Sequence, residues 1–111
     1  MNGVRLVDWE FWEIRIGTDD VANIALFGFA DPRSNLLEAL LRRYHDGLQR
    51  HGVEDYGWED CWHDYRLSTI RSLFVPICSG AWGAPMEVCL RNLERSLLSF
   101  QDLDCAELLR A

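Results

Sequence analysis

The sequence predicts a mainly α-helical fold, with four to five helices and a short β-hairpin at the N-terminus. Three observations favour this class. Apolar residues recur at helical spacing over most of the chain after residue 18, Gly and Pro interrupt that spacing at intervals, and strand-like patterning is confined to the start. We expect one domain over residues 1–111, with the β element in residues 1–17 and a helical subdomain in residues 18–111.

The first elements are two short strands followed by a helix. Residues 4–7 form a short apolar run, and residues 11–16 alternate apolar with mostly charged side chains, which is typical of strands. Gly17 ends the alternation. Thr18 is a favourable N-cap residue for a first helix that we expect to run to about Phe29.

The remaining elements are helices separated by Gly and Pro. Asp31 followed by Pro32 is a typical helix start, and Gly52 ends this second helix. A long third helix is expected from Trp58 onward, and Pro76 should kink or end it because proline lacks a backbone donor. A fourth helix should span residues 86–100, followed by a short tail helix at residues 102–109.

The charged residues exclude several function classes. Of 111 residues, 18 are Asp or Glu and 11 are basic, all of them Arg, which gives a net charge of −7. A protein that binds nucleic acid without sequence preference needs a basic face, so we expect no nucleic-acid partner. The absence of Lys excludes a Schiff-base lysine and the lysine that holds ATP phosphates in kinases.

The cysteines and the apolar segments predict the cellular environment. The four cysteines are far apart and include no Cys-x-x-Cys pair, so we expect reduced and mostly buried thiols: Cys61, Cys78, Cys89 and Cys105. The first residues lack the basic region and the long apolar run of a signal peptide. No segment is apolar over enough residues to span a bilayer, so we expect a cytoplasmic protein with no membrane partner.

One motif resembles a known family. Residues 6–11 read Leu-Val-Asp-Trp-Glu-Phe, and residues 18–23 contain the pattern Asp-x-x-Asn at Asp20 and Asn23. Together these segments resemble the C-terminal part of the aminoglycoside phosphotransferase and choline kinase family, which has a kinase-like fold. The resemblance implies that Asp8 ligates the magnesium ion that bridges the ATP phosphates, and that Glu10 lies near this site. It also implies that Asp20 supports the backbone of the catalytic loop, with Asn23 in a structural role.

The same resemblance implies that the catalytic parts are missing. In the family, the nucleotide-binding lobe, the phosphate-holding lysine and the catalytic loop precede the triplet that begins at Asp8, and here seven residues precede it. We therefore expect no catalytic residue in this chain, and magnesium and ATP only by family resemblance. The resulting expectation is a non-catalytic fragment or a degenerate relative of a small-molecule phosphotransferase. One alternative is the C-terminal half of a split phosphotransferase.

A second alternative is a binding module for cationic amines or aminoglycosides. Trp58 and Trp62 could frame a quaternary ammonium through cation–π attraction, with Asp60 and Glu10 supplying negative charge. Each candidate also has a structural interpretation. Tryptophans at helical spacing are usually core residues, and acidic residues at a helix start usually form a solvated face. Likewise, Asp8 could be a turn carboxylate between two strands.

The missing lobe has a structural consequence for association. In the parent fold, the strands around Asp8 should pair with strands that this chain lacks, which would leave an open sheet edge and uncovered aromatic side chains. Open edges and exposed apolar patches favour association. We therefore expect a homodimer or larger oligomer, joined through residues 4–16 or through a helix face that the missing lobe leaves exposed.

Overall fold

The computed structural model describes residues 3, 5, 15–28 and 36–110 of the chain. Within these residues the secondary structure is helical, which confirms the mainly α class. The helices are α1 (Thr18–Asn23), continued by a π-helical turn (Ile24–Gly28), α2 (Leu36–Arg50), α3 (Trp58–Ser72), α4 (Phe74–Ala81), α5 (Met86–Asp102) and a 3₁₀ turn (Cys105–Leu109).

The predicted N-terminal hairpin gains no support. Of residues 4–16, only Arg5, Arg15 and Ile16 belong to the described part of the chain, and no strand occurs among the residues described. The other hairpin residues lie outside it, as do Asp31 and Pro32 at the predicted start of the second helix.

The predicted N-cap role of Thr18 is wrong. Gly17 takes the cap position with helical dihedral angles, and no side chain caps the helix. Thr18 is instead the first residue of α1, and its hydroxyl lies 2.8 Å from the hydroxyl of Ser68, in a buried hydrogen bond between α1 and α3. The hydroxyl of Thr18 is therefore satisfied by a neighbouring helix rather than by a backbone group at the start of its own helix.

Pro76 divides the predicted third helix, as expected. The interruption lies at Leu73, and Pro76 sits in the first turn of α4, where a missing backbone donor has no cost. The proline ring clashes with the carbonyl four residues earlier, which here belongs to Ser72, the last residue of α3. The break therefore precedes the proline by one turn. Gly52, with φ of +91°, ends the second helix as predicted.

The tail differs from the predicted α-helix. It forms a 3₁₀ turn, preceded by Asp104 with a positive φ of +47°. Arg66 of α3 holds this segment in place: its Nε donates to the carbonyl of Leu103 at 3.0 Å, and its Nη2 to the carboxylate of Glu107 at 2.9 Å. The conformation of the tail thus depends on Arg66 of another helix, so it could not be predicted from the sequence of the tail alone.

The hydrophobic core lies between the N-terminal helices and α3. Its buried members come from α1, the π-helical turn, α2 and α3: Val21, Ala22, Leu26, Leu41, Cys61 and Tyr65. Beside this core lies a second buried layer that we call the hydroxyl seam, formed by Thr18, Ser68, Thr69, Ser72, Ser96 and Ser99. Because these side chains are small, α3 can approach both α1 and α5 closely.

Candidate functional site

Three aromatic side chains follow one face of α3. The rings of Trp58 and Trp62 stack with centroids 6.0 Å apart, and those of Trp62 and Tyr65 with centroids 6.4 Å apart. Tyr65 is fully buried, while the two tryptophans are half-buried and pack against the core. The row therefore serves the packing of α3, and its outer end at Trp58 is the part that a ligand could reach.

The ring of Trp58 already carries a cation from its own chain. The guanidinium carbon of Arg42 lies 3.6 Å from the ring centroid, which is favourable cation–π geometry. The same guanidinium lies 3.5 Å from the carboxylate of Glu38, one turn earlier on α2. Arg42 therefore occupies the position over Trp58 that an external ammonium group would need.

The acidic candidate that the structure describes, Asp60, does not lie beside Trp58 and Trp62. Asp60 is two residues from both Trp58 and Trp62, so its side chain projects from the opposite side of α3. Its Oδ2 accepts a hydrogen bond from the backbone N–H of Gly57 at 3.0 Å, which stabilises the start of the helix. Asp8 and Glu10 lie outside the described residues.

A group of hydrogen bonds connects α2, the loop before α3, and α3 itself. The hydroxyl of Tyr56 donates to Asp64 Oδ2 at 2.6 Å, and Nε2 of the buried His45 donates to the carbonyl of Tyr56 at 2.8 Å. Burial, and then the hydrogen bond to Asp64, raise the pKa of Tyr56 well above its usual value. Burial likewise raises the pKa of the Cys61 thiol, so this cysteine is a protonated packing residue rather than a nucleophile at neutral pH.

The structure separates the two α1 candidates. Asp20 is exposed in the first turn of α1. Asn23 lines a cavity of about 40 Å³ between α1, α3 and α4, together with Asp19 and Arg71. Asp19 has a side chain only 12% exposed, with Oδ2 3.5 Å from Nη1 of Arg71. Asp19 was not predicted as a site residue, because an Asp beside Asp20 in the first turn of a helix is ordinary favourable charge at the positive end of the helix dipole.

A different surface stands out by its composition. Six large apolar side chains on α4, α5 and their connection are between 44% and 82% exposed, and we call them the outer face: Phe74, Ile77, Trp82, Met86, Leu90 and Leu97. The segment of α4 contains no charged residue. Large exposed apolar patches on soluble domains usually mark interaction sites.

The contact between α4 and α5 places both halves of this face on one side. A Cβ at Gly80 would lie 3.5 Å from the sulfur of Cys89, so these two positions face each other across the helix pair. With Gly80 facing α5, helical geometry places Phe74 and Ile77 together on one face of the α4–α5 pair. Because the two helices run in opposite directions after a short turn, Met86 and Leu90 fall on the same side of α5. The outer face is therefore continuous.

Comparisons with protein-family models, with curated proteins and with solved structures find no match to this chain. The resemblance to phosphotransferases therefore stays a prediction based on residues 6–23. Among the described residues, no helix combines the length and the apolar character needed to cross a membrane. In that same part of the chain, no three His, Cys, Asp or Glu side chains are grouped so that they could hold a metal ion.

Proposed function

We propose that this chain is a non-catalytic, self-associating helical domain, related to the C-terminal part of aminoglycoside and choline phosphotransferases. The observation that carries the proposal is the outer face: a continuous, exposed apolar surface across α4 and α5. Association would remove these side chains from water, which is the dominant favourable term in most protein–protein contacts.

The size of the outer face fits a protein interface. From the exposed fractions of its six side chains, we estimate its apolar area as roughly 700 Å², close to the ~800 Å² that each partner contributes to a stable interface of standard size. A patch of this area is at the upper end of what monomeric proteins expose. The area therefore supports a stable complex rather than a transient contact.

A second copy of the chain is the occupant that the charges favour. The net charge of −7 opposes binding to an anionic membrane surface, and membrane-surface helices carry Lys or Arg along their polar face. The polar side of α5 carries both signs instead, with the exposed Glu87, Arg91 and Glu94, so it has no excess of basic residues. An uncharged apolar surface is self-complementary, so two copies can bury it against each other.

The non-catalytic part of the proposal rests on the residues that phosphoryl transfer requires. The chain has no Lys to hold phosphates. Burial raises the pKa of the Cys61 thiol and of the Tyr65 hydroxyl, which keeps both protonated at neutral pH. Incubation of the protein with Mg²⁺ and ATP should therefore give no phosphate release above that of the buffer. Sustained turnover would contradict this part of the proposal.

The association is tested by light scattering coupled to size-exclusion chromatography at micromolar concentration. The protein should elute with twice the 12.9 kDa mass of one chain or more. Leu90→Asp, which places a charge in the outer face, should give a monomer with an unchanged helical circular dichroism spectrum. Leu109→Asp is the matched control, because Leu109 is 65% exposed but lies in the 3₁₀ turn, and it should remain associated. A wild-type monomer would overturn the proposal.

A further inference from the structure

We infer that Trp82 is the anchor of the self-association: the end of α4 presents its side chain in a fixed position, and the outer face of the second copy buries it. The inference rests on the proposed function, because it assigns to one residue a large share of the affinity between the two copies. It follows from the exposure of Trp82 and from the hydrogen bonds that hold the backbone around it.

Trp82 is the most exposed large apolar residue in the described part of the chain. It is 82% exposed, whereas the other five members of the outer face are between 44% and 70% exposed. Trp58 and Trp62, by contrast, are half-buried and stack on each other. Aromatic side chains dominate the energetics of cores and interfaces because each buries a large apolar area. The fold of a single copy therefore gains little from the ring of Trp82, and most of its area is left for a partner to cover.

The backbone that carries this ring is held by a complete helix-ending motif. Trp82 is the C-cap residue of α4, and Gly83 follows it with a positive φ of +94°. The N–H of Gly83 donates to the carbonyl of Gly80 at 3.2 Å, and the N–H of Ala84 donates to the carbonyl of Ser79 at 2.9 Å. These two bonds and the left-handed glycine define a Schellman motif. The position from which the Trp82 side chain projects is therefore fixed before a partner binds.

This fixed presentation favours Trp82 over its neighbours as the anchor. Ordering a loop at an interface costs free energy, and a segment that is already ordered avoids that cost. A tryptophan has only two rotatable side-chain bonds, so burying its ring costs less entropy than burying a flexible side chain such as that of Met86. Tryptophan is also enriched among the residues that dominate the affinity of protein interfaces, whereas leucine, as at Leu90, is under-represented there.

The chain around Trp82 is free of charge. No charged residue occurs from Ser72 to Met86, the longest uncharged stretch in the sequence. Taking a charge out of water without a partner is costly, and this stretch contains none. The surface that receives the ring on the second copy includes the same uncharged helix α4. Burial of Trp82 between the copies thus removes apolar area from water and leaves no charge of this segment unpaired.

The first test compares the self-association of two alanine variants by sedimentation over a series of concentrations. Trp82→Ala should raise the dissociation constant about 30-fold or more, as expected for a residue that dominates an interface. Leu109→Ala is the matched control, because Leu109 is 65% exposed but lies in the 3₁₀ turn, and it should leave the constant unchanged. Both variants should keep the helical circular dichroism spectrum of the wild type, since both side chains are exposed.

The second test loosens the presentation of the ring and leaves Trp82 in place. Gly83→Ala puts a side chain at a φ of +94°, which L-residues rarely adopt, so it should disturb the Schellman motif and weaken the association. Gly52→Ala is the matched control, because Gly52 has a similar φ of +91° after α2 and lies outside the outer face. It should carry a similar strain and leave the association unchanged. A Gly83→Ala protein that associates as well as Gly52→Ala would overturn the fixed presentation.

Acrylamide quenching of fluorescence reports the position of the ring directly. The difference between the wild type and Trp82→Phe isolates the emission of Trp82 among the five tryptophans, at a concentration where both proteins are associated. In the associated protein, quenching of this emission should be several-fold weaker than in the Leu90→Asp background, where the protein should be monomeric.

The outcomes separate this inference from the proposed function. A wild-type monomer would overturn the self-association and the role of Trp82 together. A wild type that associates, with a Trp82→Ala variant that associates equally well, would overturn the role of Trp82 alone. So would a Trp82 ring that stays open to acrylamide in the associated protein, or one that is shielded only after phosphatidylcholine vesicles are added.

Discussion

The two sides of α5 contrast with each other. The side that faces α3, α4 and the π-helical turn carries small buried residues, which are Cys89, Ser96 and Ser99. An adjacent side carries Met86, Leu90 and Leu97, and these large apolar residues are exposed. Several bulky apolar residues of this amphipathic helix thus lie toward solvent, whereas small residues fill its buried side.

The difference shows that two kinds of packing hold this fold. The hydroxyl seam lets helices approach closely but buries little apolar area, and the hydrogen bond between Thr18 and Ser68 links α1 to α3 across it. The core around Leu41 and Tyr65 supplies the hydrophobic stability. The outer face holds apolar area that contributes to stability only when something covers it.

The largest expected effect compares two leucines. Leu41→Ala should lower the free energy of unfolding by about 2–5 kcal/mol, because Leu41 is fully buried and its removal leaves a cavity. Leu90→Ala should lower it by less than about 0.5 kcal/mol under conditions where the protein is monomeric, since Leu90 is 58% exposed. Urea denaturation followed by circular dichroism measures both.

The contrast should reverse when association is measured. Leu90→Ala should weaken self-association in sedimentation experiments. A Leu90→Ala protein as unstable as Leu41→Ala at low concentration would show that the outer face belongs to the core of a single copy.

The sequence was sufficient for the helical elements but not for the side on which each helix is buried. Hydrophobic spacing and the breaks at Gly52 and Pro76 predicted the helices after residue 35. The same rule places the large residues of α5 inward, and the structure places small ones there instead. Apolar periodicity shows that a helix has an apolar side without showing whether the same chain covers it.

The candidate site was predictable only in part for a similar reason. The aromatic row at Trp58 and Trp62 follows from helical spacing. The position of Arg42 over Trp58 does not, because it depends on how α2 packs against α3. The hydroxyl of Thr18 likewise reads as a helix cap until Ser68, fifty residues later, is brought beside it.

The next effect tests the hydroxyl seam. Ser68→Ala should lower the free energy of unfolding by about 1–3 kcal/mol, because it leaves the buried hydroxyl of Thr18 without its partner. The double variant Thr18→Val with Ser68→Ala should recover part of that loss, since neither side then carries an unsatisfied group. Chemical denaturation of the wild type, of Thr18→Val and Ser68→Ala alone, and of the double variant gives the coupling energy between the two hydroxyls. Additive losses would show that the pair does not stabilise the seam.

A smaller effect should appear at alkaline pH. Burial raises the pKa values of Cys61, Cys105 and Tyr65, so the folded protein keeps these groups neutral at a pH where the unfolded chain ionises them. This contribution to stability should be fully present below the usual pKa values of these groups, 9.0 for Cys and 10.0 for Tyr. It should fall by about 1 kcal/mol as the pH rises above them.

Urea denaturation at pH 7.5 and at pH 10 measures this loss. Cys105→Ser should reduce the difference between the two pH values, because it removes one of the buried thiols. Cys78→Ser, at an exposed cysteine, should leave the difference unchanged. An equal loss of stability between the two pH values in the wild type and both variants would rule out the buried thiols as the source of the loss.

The smallest expected effect concerns a single oxygen in the core. The hydroxyl of Tyr65 is buried, and it has no hydrogen-bond partner among the described residues; Thr69 uses its own hydroxyl to donate to the backbone carbonyl of Tyr65. Tyr65→Phe keeps the ring stacked on Trp62 and removes the unsatisfied group, so the free energy of unfolding should stay the same or rise by up to about 1 kcal/mol. Tyr56→Phe is the matched control, because it deletes a hydroxyl that donates to Asp64 and should be destabilising. If Tyr65→Phe were the more destabilising of the two, the core would contain a hydrogen bond to this hydroxyl, and its stability would depend on polar contacts as the hydroxyl seam does.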